Sequence, residues 1–513
     1  MTIEAPINVA SERIMKNRTE HVSQGWKVLI LGCLALLVTA CGSGNSNTVS
    51  PTNPTKPGGG SENSNNGNNG SPISGYLYTT TNGEADNLVL RLTRHEDGSL
   101  TDETKYETNG IGDANRGAGG DAHGDFDSQG AVQIVGDYLL AVNAGDDSIS
   151  VFSIDKSNGD LTIMGNNVSS GGQRPVSIAA VKKSGEADKY WVVVANQWDN
   201  PNVQKGGDGE TSAEFYPSPE FFSPLHNLIA IHSTDEERNI TLFSFDASEG
   251  KLTEERVLDK YRREHGGPAS ITFSDDGTKL AVSTWGIAHL HTATPLLTNE
   301  SGNMKYQRRS RVYVYNFNKS TGKTAHRRQF DQSGISGTIG INWARSNDSI
   351  VYASNFNLTN DMKNNGLTVL KDAGNVVYKA QNFKTGPENV VDEACWTVLN
   401  PEGSRLYVSS FGSNSITAFS LNSDGSVKQN LAVELRGDAV PAGDSKDMYI
   451  TSDNKYLYNL GAFNTFSMNT FEITDTGLTY KSQYQFNETK DEQGNAGAYN
   501  FLGLAGFDVQ SAN

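Results

Sequence analysis

The chain has 513 residues, with 59 Asp plus Glu against 42 Lys plus Arg, a formal net charge of -17 and a pI near 5.0. That acid excess argues against a nucleic acid or an anionic membrane surface as partner and leaves small molecules, glycans, cations and proteins. The 53 glycines, without helical heptads or long amphipathic stripes, point to many short strands joined by turns.

In chain order, the first element starts at Met15: "MKNRTEHVSQGWKVLILGCLALLVTACGSG". Basic Lys16, Arg18 and Lys27 precede an apolar run from Val28 to Val38, then small residues before Cys41. The run is too short to span a bilayer, which takes roughly 20 apolar residues. Its "LLVTAC" ending resembles a bacterial lipobox, which implies that Cys41 is lipidated through a thioether and becomes the mature N-terminus. Gly42 after it, in place of Asp, implies sorting to the outer membrane of a Gram-negative envelope. Met15 is the expected start, because residues 1–14 add Glu4 and Glu12 to a region that should be basic. Residues 1–40 are thus read as a lipoprotein signal peptide, with the membrane reached through the lipid anchor only. Residues 41–74 follow as the modified Cys and a Gly/Ser/Asn tether with almost nothing apolar to bury. Cys33 leaves with the signal, so Cys395 is a free thiol and the folded part relies on packing.

From Tyr76 onward one pattern recurs. "YLLAVNAGDDSISVFSIDKSNGDL" (Tyr138 to Leu161) parallels "RLYVSSFGSNSITAFSLNSDGSV" (Arg405 to Val427), each with period-two alternation that sends Ile149 and Val151 to one face and Phe152 and Ile154 to the other. Seven second strands begin this way: "YLYTTT", "YLLAVN", "YWVVVAN", "KLAVSTW", "IVYASN", "RLYVSS" and "YLYNLG". Third strands such as "NLVLRLT" and "RVYVYNF" follow, each closed by a turn glycine: Gly98, Gly159, Gly250, Gly322, Gly374, Gly425 and Gly477. An innermost strand precedes each second strand except the first, and "FLGLAGFDVQ" at the C-terminus fits the missing one. Four strands per unit and about 50 residues per period predict an all-β, seven-bladed β-propeller over residues 75–513, closed by exchange of a C-terminal strand into the first blade.

Two insertions interrupt the spacing, near residues 197–238 and 286–310. Both join second to third strands, so in an up-and-down blade they emerge on the face that also carries the blade-to-blade connections. Those connections bring His123 in "GAGGDAHGDFDSQG", His265 in "YRREHGGP", Asp392 and Glu393 in "GPENVVDEAC", and Asp444 in "VPAGDSKD". With His226, His232, His289 and His291, six of the nine histidines fall on this loop-rich face, where a rigid scaffold commonly carries its function.

"LAVNAGDDSISVFSID", "GGPASITFSDDGTKLAVS" and "CWTVLNPEGSRLYVSSFGSNSITAFSLNSDGSV" resemble the lactonase-type seven-bladed propeller family, which includes 6-phosphogluconolactonase and carboxymuconate cyclase-like proteins. The resemblance covers roughly Tyr76 to Val509 and implies the propeller fold. It also implies an active centre lined by histidines at the inner strands, together with arginines and glutamates. Pro175 and Pro268 are kept here, but Ser177 and Ser270 stand where a histidine is expected.

Lactone opening needs a base for water and cations for the developing oxyanion and any substrate carboxylate. His123, His265 and Glu393 are the candidate catalytic groups. Arg174, Arg262, Arg263, His226, His289 and His291 are the candidate substrate binders, a set that needs no metal or other cofactor. "HLH" at 289–291 offers two histidines, whereas a zinc site normally takes three or four protein ligands. Trp198, Phe215, Tyr216, Phe221 and Phe222 either stack on a ring or pin the first insertion to its scaffold. No zincin helix, phosphate-binding Gly loop or G-x-S-x-G elbow occurs in a fitting context. Two readings therefore stand: a metal-independent lactonase-type hydrolase or cyclase, and a non-catalytic propeller holding a small ligand, a glycan or a partner protein on the loop-rich face.

Overall fold

The computed structural model describes residues 70–113, 128–197, 205–206, 210–211, 238–261, 267–285, 310–331, 337–345, 347–356, 366–388, 392–437, 443–462, 464–489 and 499–509. Among these residues there are strands and turns and no helix. Cys41, the tether up to residue 69 and most of both insertions lie outside them, and the first strand already begins at Ile73.

Seven antiparallel sheets form, one per repeat. Their innermost strands are Val132–Val135, Pro175–Lys182, Pro268–Phe273, Thr338–Ala344, Ala394–Leu399, Ser445–Ile450 and Leu502–Asp508. Each packs against the next, and Leu502–Asp508 packs against both Ser445–Ile450 and Val132–Val135, so the ring closes. Blade 1 holds the N-terminal strand Ile73–Thr80, which pairs antiparallel with Leu502–Asp508 in the register Tyr76 to Phe507 and Thr80 to Leu502. The expected strand exchange is therefore the closure, and it removes the edges that an open array would expose.

The third strand of blade 2, Ser148–Ile154, shows why the sequence alternates as it does. Ile149 and Val151 enter a core shared with Val176 and Val192 of blade 3, while Phe152 and Ile154 enter one shared with Tyr76 and Tyr78 of blade 1. Both faces of each blade are covered, so both sets are apolar. The outer strand of this blade is interrupted: Leu161–Ile163 and Val168–Ser169 pair with the same neighbour, with Gly165 at φ 67° between them.

The turn glycines do more than close hairpins. All seven have positive φ, and Gly159 of blade 2 also lies under Tyr76 of blade 1, where a Cβ would fall 2.4 Å from the ring. Beside it the Tyr78 hydroxyl donates to the Gly159 carbonyl at 2.7 Å. The contact recurs as Tyr458 to Gly98 at 3.1 Å and Tyr352 to Gly425 at 2.5 Å, each time stitching one blade to the next. Each such bond is worth on the order of 1 kcal/mol, and a Cβ at these glycines would break the contact as well as strain the turn.

Both insertions do join second to third strands: Lys189–Asn196 to Asn239–Asp246, and Lys279–Thr284 to Arg311–Asn318. Antiparallel alternation puts these loops, and the blade-to-blade connections, at the end of the ring where the innermost strands begin.

Candidate functional site

At that end the channel is crossed by chain. Residues Ser128, Gln129 and Gly130, which lead into blade 2, reach five other blades. Gln129 bridges to Ser270 of blade 4 and donates its N–H to Ala269. Its side-chain oxygen accepts the Thr397 N–H of blade 6 at 2.9 Å, and the Ser128 carbonyl accepts from the Trp396 indole at 2.7 Å. The Gly130 carbonyl accepts from Ile178 of blade 3 at 2.8 Å. Room for the Gln129 side chain comes from Gly340 of blade 5, where a Cβ would stand 2.5 Å from its oxygen.

Ser177 and Ser270 now have a physical role. Ser177 donates through its hydroxyl to the Gln129 carbonyl and accepts the Ile271 N–H at 3.2 Å. At both positions a small side chain leaves space for the crossing segment that an imidazole would fill.

Below this partition lies a cavity of about 700 Å³. It runs from Gln129, Gly130 and Asp447 to Asp275, Arg345, Pro401 and Ser452, which sit in the turns between innermost and second strands. It therefore occupies the channel and the end opposite the loop-rich face. Gln133, Thr272, Asn342 and Thr397 give it polar groups, and Trp343 and Tyr449 give it aromatic surface.

Asp447 is the chemically unusual member. Its carboxyl accepts the Gly503 N–H at 3.1 Å, and Gly130 of the partition also donates to it. Burial pushes its pKa up to about 7, against those two hydrogen bonds and the neighbouring charge of Lys446. On Ser445–Ile450, Asp447 and Tyr449 both line the cavity and Lys446 does not, with a register irregularity between Ser445 and Met448. Lys446 donates to Asn500 Oδ1 at 2.8 Å. Burial also raises the Tyr449 phenol above its usual range, so it stays protonated and can donate. At the mouth, Arg345 pairs with Asp275 at 3.3 Å, both half-exposed.

Of the residues singled out from sequence, His123, His226, His265, His289, His291, Arg262 and Arg263 lie outside the described residues. Arg174 is buried with φ 54°, its guanidinium paired with Asp113 at 2.9 Å and bonded to Gln197 at 3.1 Å. It thereby ties together the chain just before residues 114–127 and just before the first insertion. Glu393, at φ 54°, accepts the Phe411 N–H through its carbonyl and rests its carboxylate against Gly412. Two acids placed on the loop-rich face are interior groups. Asp444 forms a fully buried pair with Arg436 at 2.9 Å, and Asp392 accepts from Ser410 and Ser413.

Asp447 is not among the residues singled out from sequence, where it falls in an innermost strand, "DMYITS". A carboxylate inside an otherwise buried strand was the available signal. Gln129 carried none, since its role exists only across the ring.

Comparison with known proteins agrees with this architecture. The family described as lactonase, 7-bladed beta-propeller, matches residues 61–204. The chain is a seven-bladed β-propeller whose first part is similar to the lactonase-type family. No curated protein matches it by sequence. Among solved structures, a putative 6-phosphogluconolactonase from Bacteroides fragilis aligns at 14% identity and TM-score 0.51, covering 85% of this chain and 98% of that one. A periplasmic gluconolactonase from Pseudomonas aeruginosa aligns at 12% and 0.54, covering 84% and 99%. A Lactobacillus plantarum protein aligns at 14% and 0.54, covering 85% and 99%. At these identities the likeness concerns the fold. Among the described residues, this ring carries its cavity beneath a partition with Ser177 and Ser270 beside it, and no cluster of three or more potential metal ligands.

Proposed function

We propose that this protein is a lactonase-like envelope protein that takes a small lactone into the channel cavity and opens it, with Asp447 as general base. The observation that carries the reading is a buried carboxyl held near neutral pKa at the wall of a roomy, polar and aromatic cavity. Such a group is half-ionised at working pH, where a base is most effective. Water would add to the lactone carbonyl as Asp447 takes its proton, and the ring C–O bond would then break as Asp447 returns that proton to the leaving oxygen. The neutral Tyr449 phenol is the donor on the same side of the strand for the developing oxyanion. Turnover should rise with pH through about 7, as the base form appears.

A second reading keeps the chemistry, or simple binding of a ligand, glycan or partner, on the loop-rich face with His123, His265, Glu393, Arg262 and Arg263. Its support is that both long insertions emerge there and that the partition separates that face from the cavity. A panel of sugar and aromatic-acid lactones assayed with the full chain decides between the two. Loss of roughly 100-fold or more in Asp447→Asn, with His123→Ala and His265→Ala active, supports the channel; the reverse supports the face. Saturable binding without turnover supports a binding module, and neither binding nor turnover overturns both.

Attachment to the envelope through Cys41 belongs to the same proposal and rests on the lipobox-like stretch. Incorporation of labelled palmitate that Cys41→Ser abolishes is the expected result, and labelling of the variant would refute it.

A further inference from the structure

Resting on the reading of the channel cavity as the reactive site, we infer that its substrate is an uncharged polyhydroxy lactone and that the site excludes phosphorylated and carboxylated ones. The argument is the distribution of charge around the cavity.

Among the described residues that line it, the charged side chains are Asp447, Asp275 and Arg345. Arg345 is already neutralised by Asp275 at 3.3 Å, and both stand half-exposed at the mouth, where water weakens what remains. Lys446, next to Asp447 in sequence, does not line the cavity and is engaged by Asn500 and the Trp396 face. Arg94, near Tyr449, pairs with Asp508 and does not line the cavity. No lining cation is thus free to meet a phosphate or a second carboxylate, and the group deepest in the site is itself an acid.

An anionic substituent a few ångströms from Asp447 would meet like charge in a poorly solvated space. At about 5 Å and an effective dielectric constant near 20, the Coulomb term corresponds to a penalty of on the order of 100-fold in affinity. The aim of the polar groups agrees with this. Gln133, Thr272, Asn342 and Thr397 carry amides and hydroxyls suited to sugar hydroxyls, and Trp343 and Tyr449 offer apolar surface for a sugar face.

The same charge pattern suits the reaction. Ring opening converts a neutral lactone and water into a hydroxy acid, which loses its proton to solvent. The product anion then stands beside Asp447 with no free lining cation to hold it, so it leaves.

The test measures binding of neutral anhydroglucitol and of its phosphate ester to the full-length protein by calorimetry, beside turnover of glucono-δ-lactone. The expected result is binding of the neutral compound at least ~100-fold tighter than the ester, with turnover of the neutral lactone. Asp447→Asn should narrow that ratio by removing the like charge, and Asp275→Asn should raise affinity for the ester several-fold by freeing Arg345. The second variant sits at an exposed turn and reads out even where the first does not fold. Ester binding as tight as or tighter than the neutral compound overturns the inference while leaving the channel reading intact. Absence of binding and turnover for both overturns the channel reading and the inference with it.

Discussion

Replacing Asp447 by Asn removes a titrating group and keeps a nearly isosteric polar side chain against the channel. The native carboxyl holds its proton up to about pH 7 because it is buried, whereas an Asp in an unfolded chain releases it near 3.9. A gap of about 3 units at 1.36 kcal/mol each amounts to ~4 kcal/mol. The sign follows from proton counting: between the two values the unfolded chain has lost the proton that the native state keeps. The contribution of Asp447 to native stability is therefore highest below the lower value, declines as pH rises towards 7, and is level above it.

Asn carries no such dependence. Its amide can accept from one of the Gly503 and Gly130 N–H groups but turns a donor towards the other, a pH-independent cost of about 1–2 kcal/mol. The expected outcome is that wild-type stability minus variant stability falls by about 3 kcal/mol between pH 4 and 7. Urea midpoints for both proteins across pH 4–8.5 measure it, and all other carboxylates cancel in the difference. Parallel curves would refute the reasoning, because they would mean that Asp447 is already ionised in the native state at low pH.

Gly340→Ala places a methyl 2.5 Å from the Gln129 side-chain oxygen and should cost about 1–3 kcal/mol while loosening the partition, read by a lower melting temperature and faster amide exchange at Gln129 and Gly130. Asp444→Ala strands the fully buried Arg436 guanidinium and should cost about 3–5 kcal/mol in denaturant titration; a loss under 1 kcal/mol would show that water or a neighbour takes over the pair. Tyr78→Phe should cost about 1 kcal/mol and Gly159→Ala at least about 2, since the first removes one hydrogen bond and the second adds strain at φ 74° and a clash with Tyr76. Deleting residues 501–513 removes the innermost strand of blade 1 and should abolish the single cooperative melt, with the loss read by scanning calorimetry.

Much of the ring was written in the chain as period and punctuation. Alternation within Ser148–Ile154, the turn glycines and the C-terminal "FLGLAGF" are local or repetitive signals, so strands, blade number and closure could be read without coordinates. Placement of the insertions at one end followed from antiparallel alternation alone.

The candidate site was not legible in this way. Arg174 reads in sequence as a cation on a functional loop, but burial against Asp113 makes it a clamp, because that partner lies some 60 residues away. Asp447 reads as an odd polar residue in a strand. Its raised pKa comes from burial, which outweighs the opposing hydrogen bonds from Gly503 and Gly130, and both the burial and those partners come from other blades.

Sequence by itself determined the repeat, because each blade's strands and turns are specified by residues close to one another along the chain. What faces what across the channel was decided only by tertiary structure. Ring closure sets Gln129 against blades far from its own and leaves an acid, rather than a histidine, at the wall of the cavity.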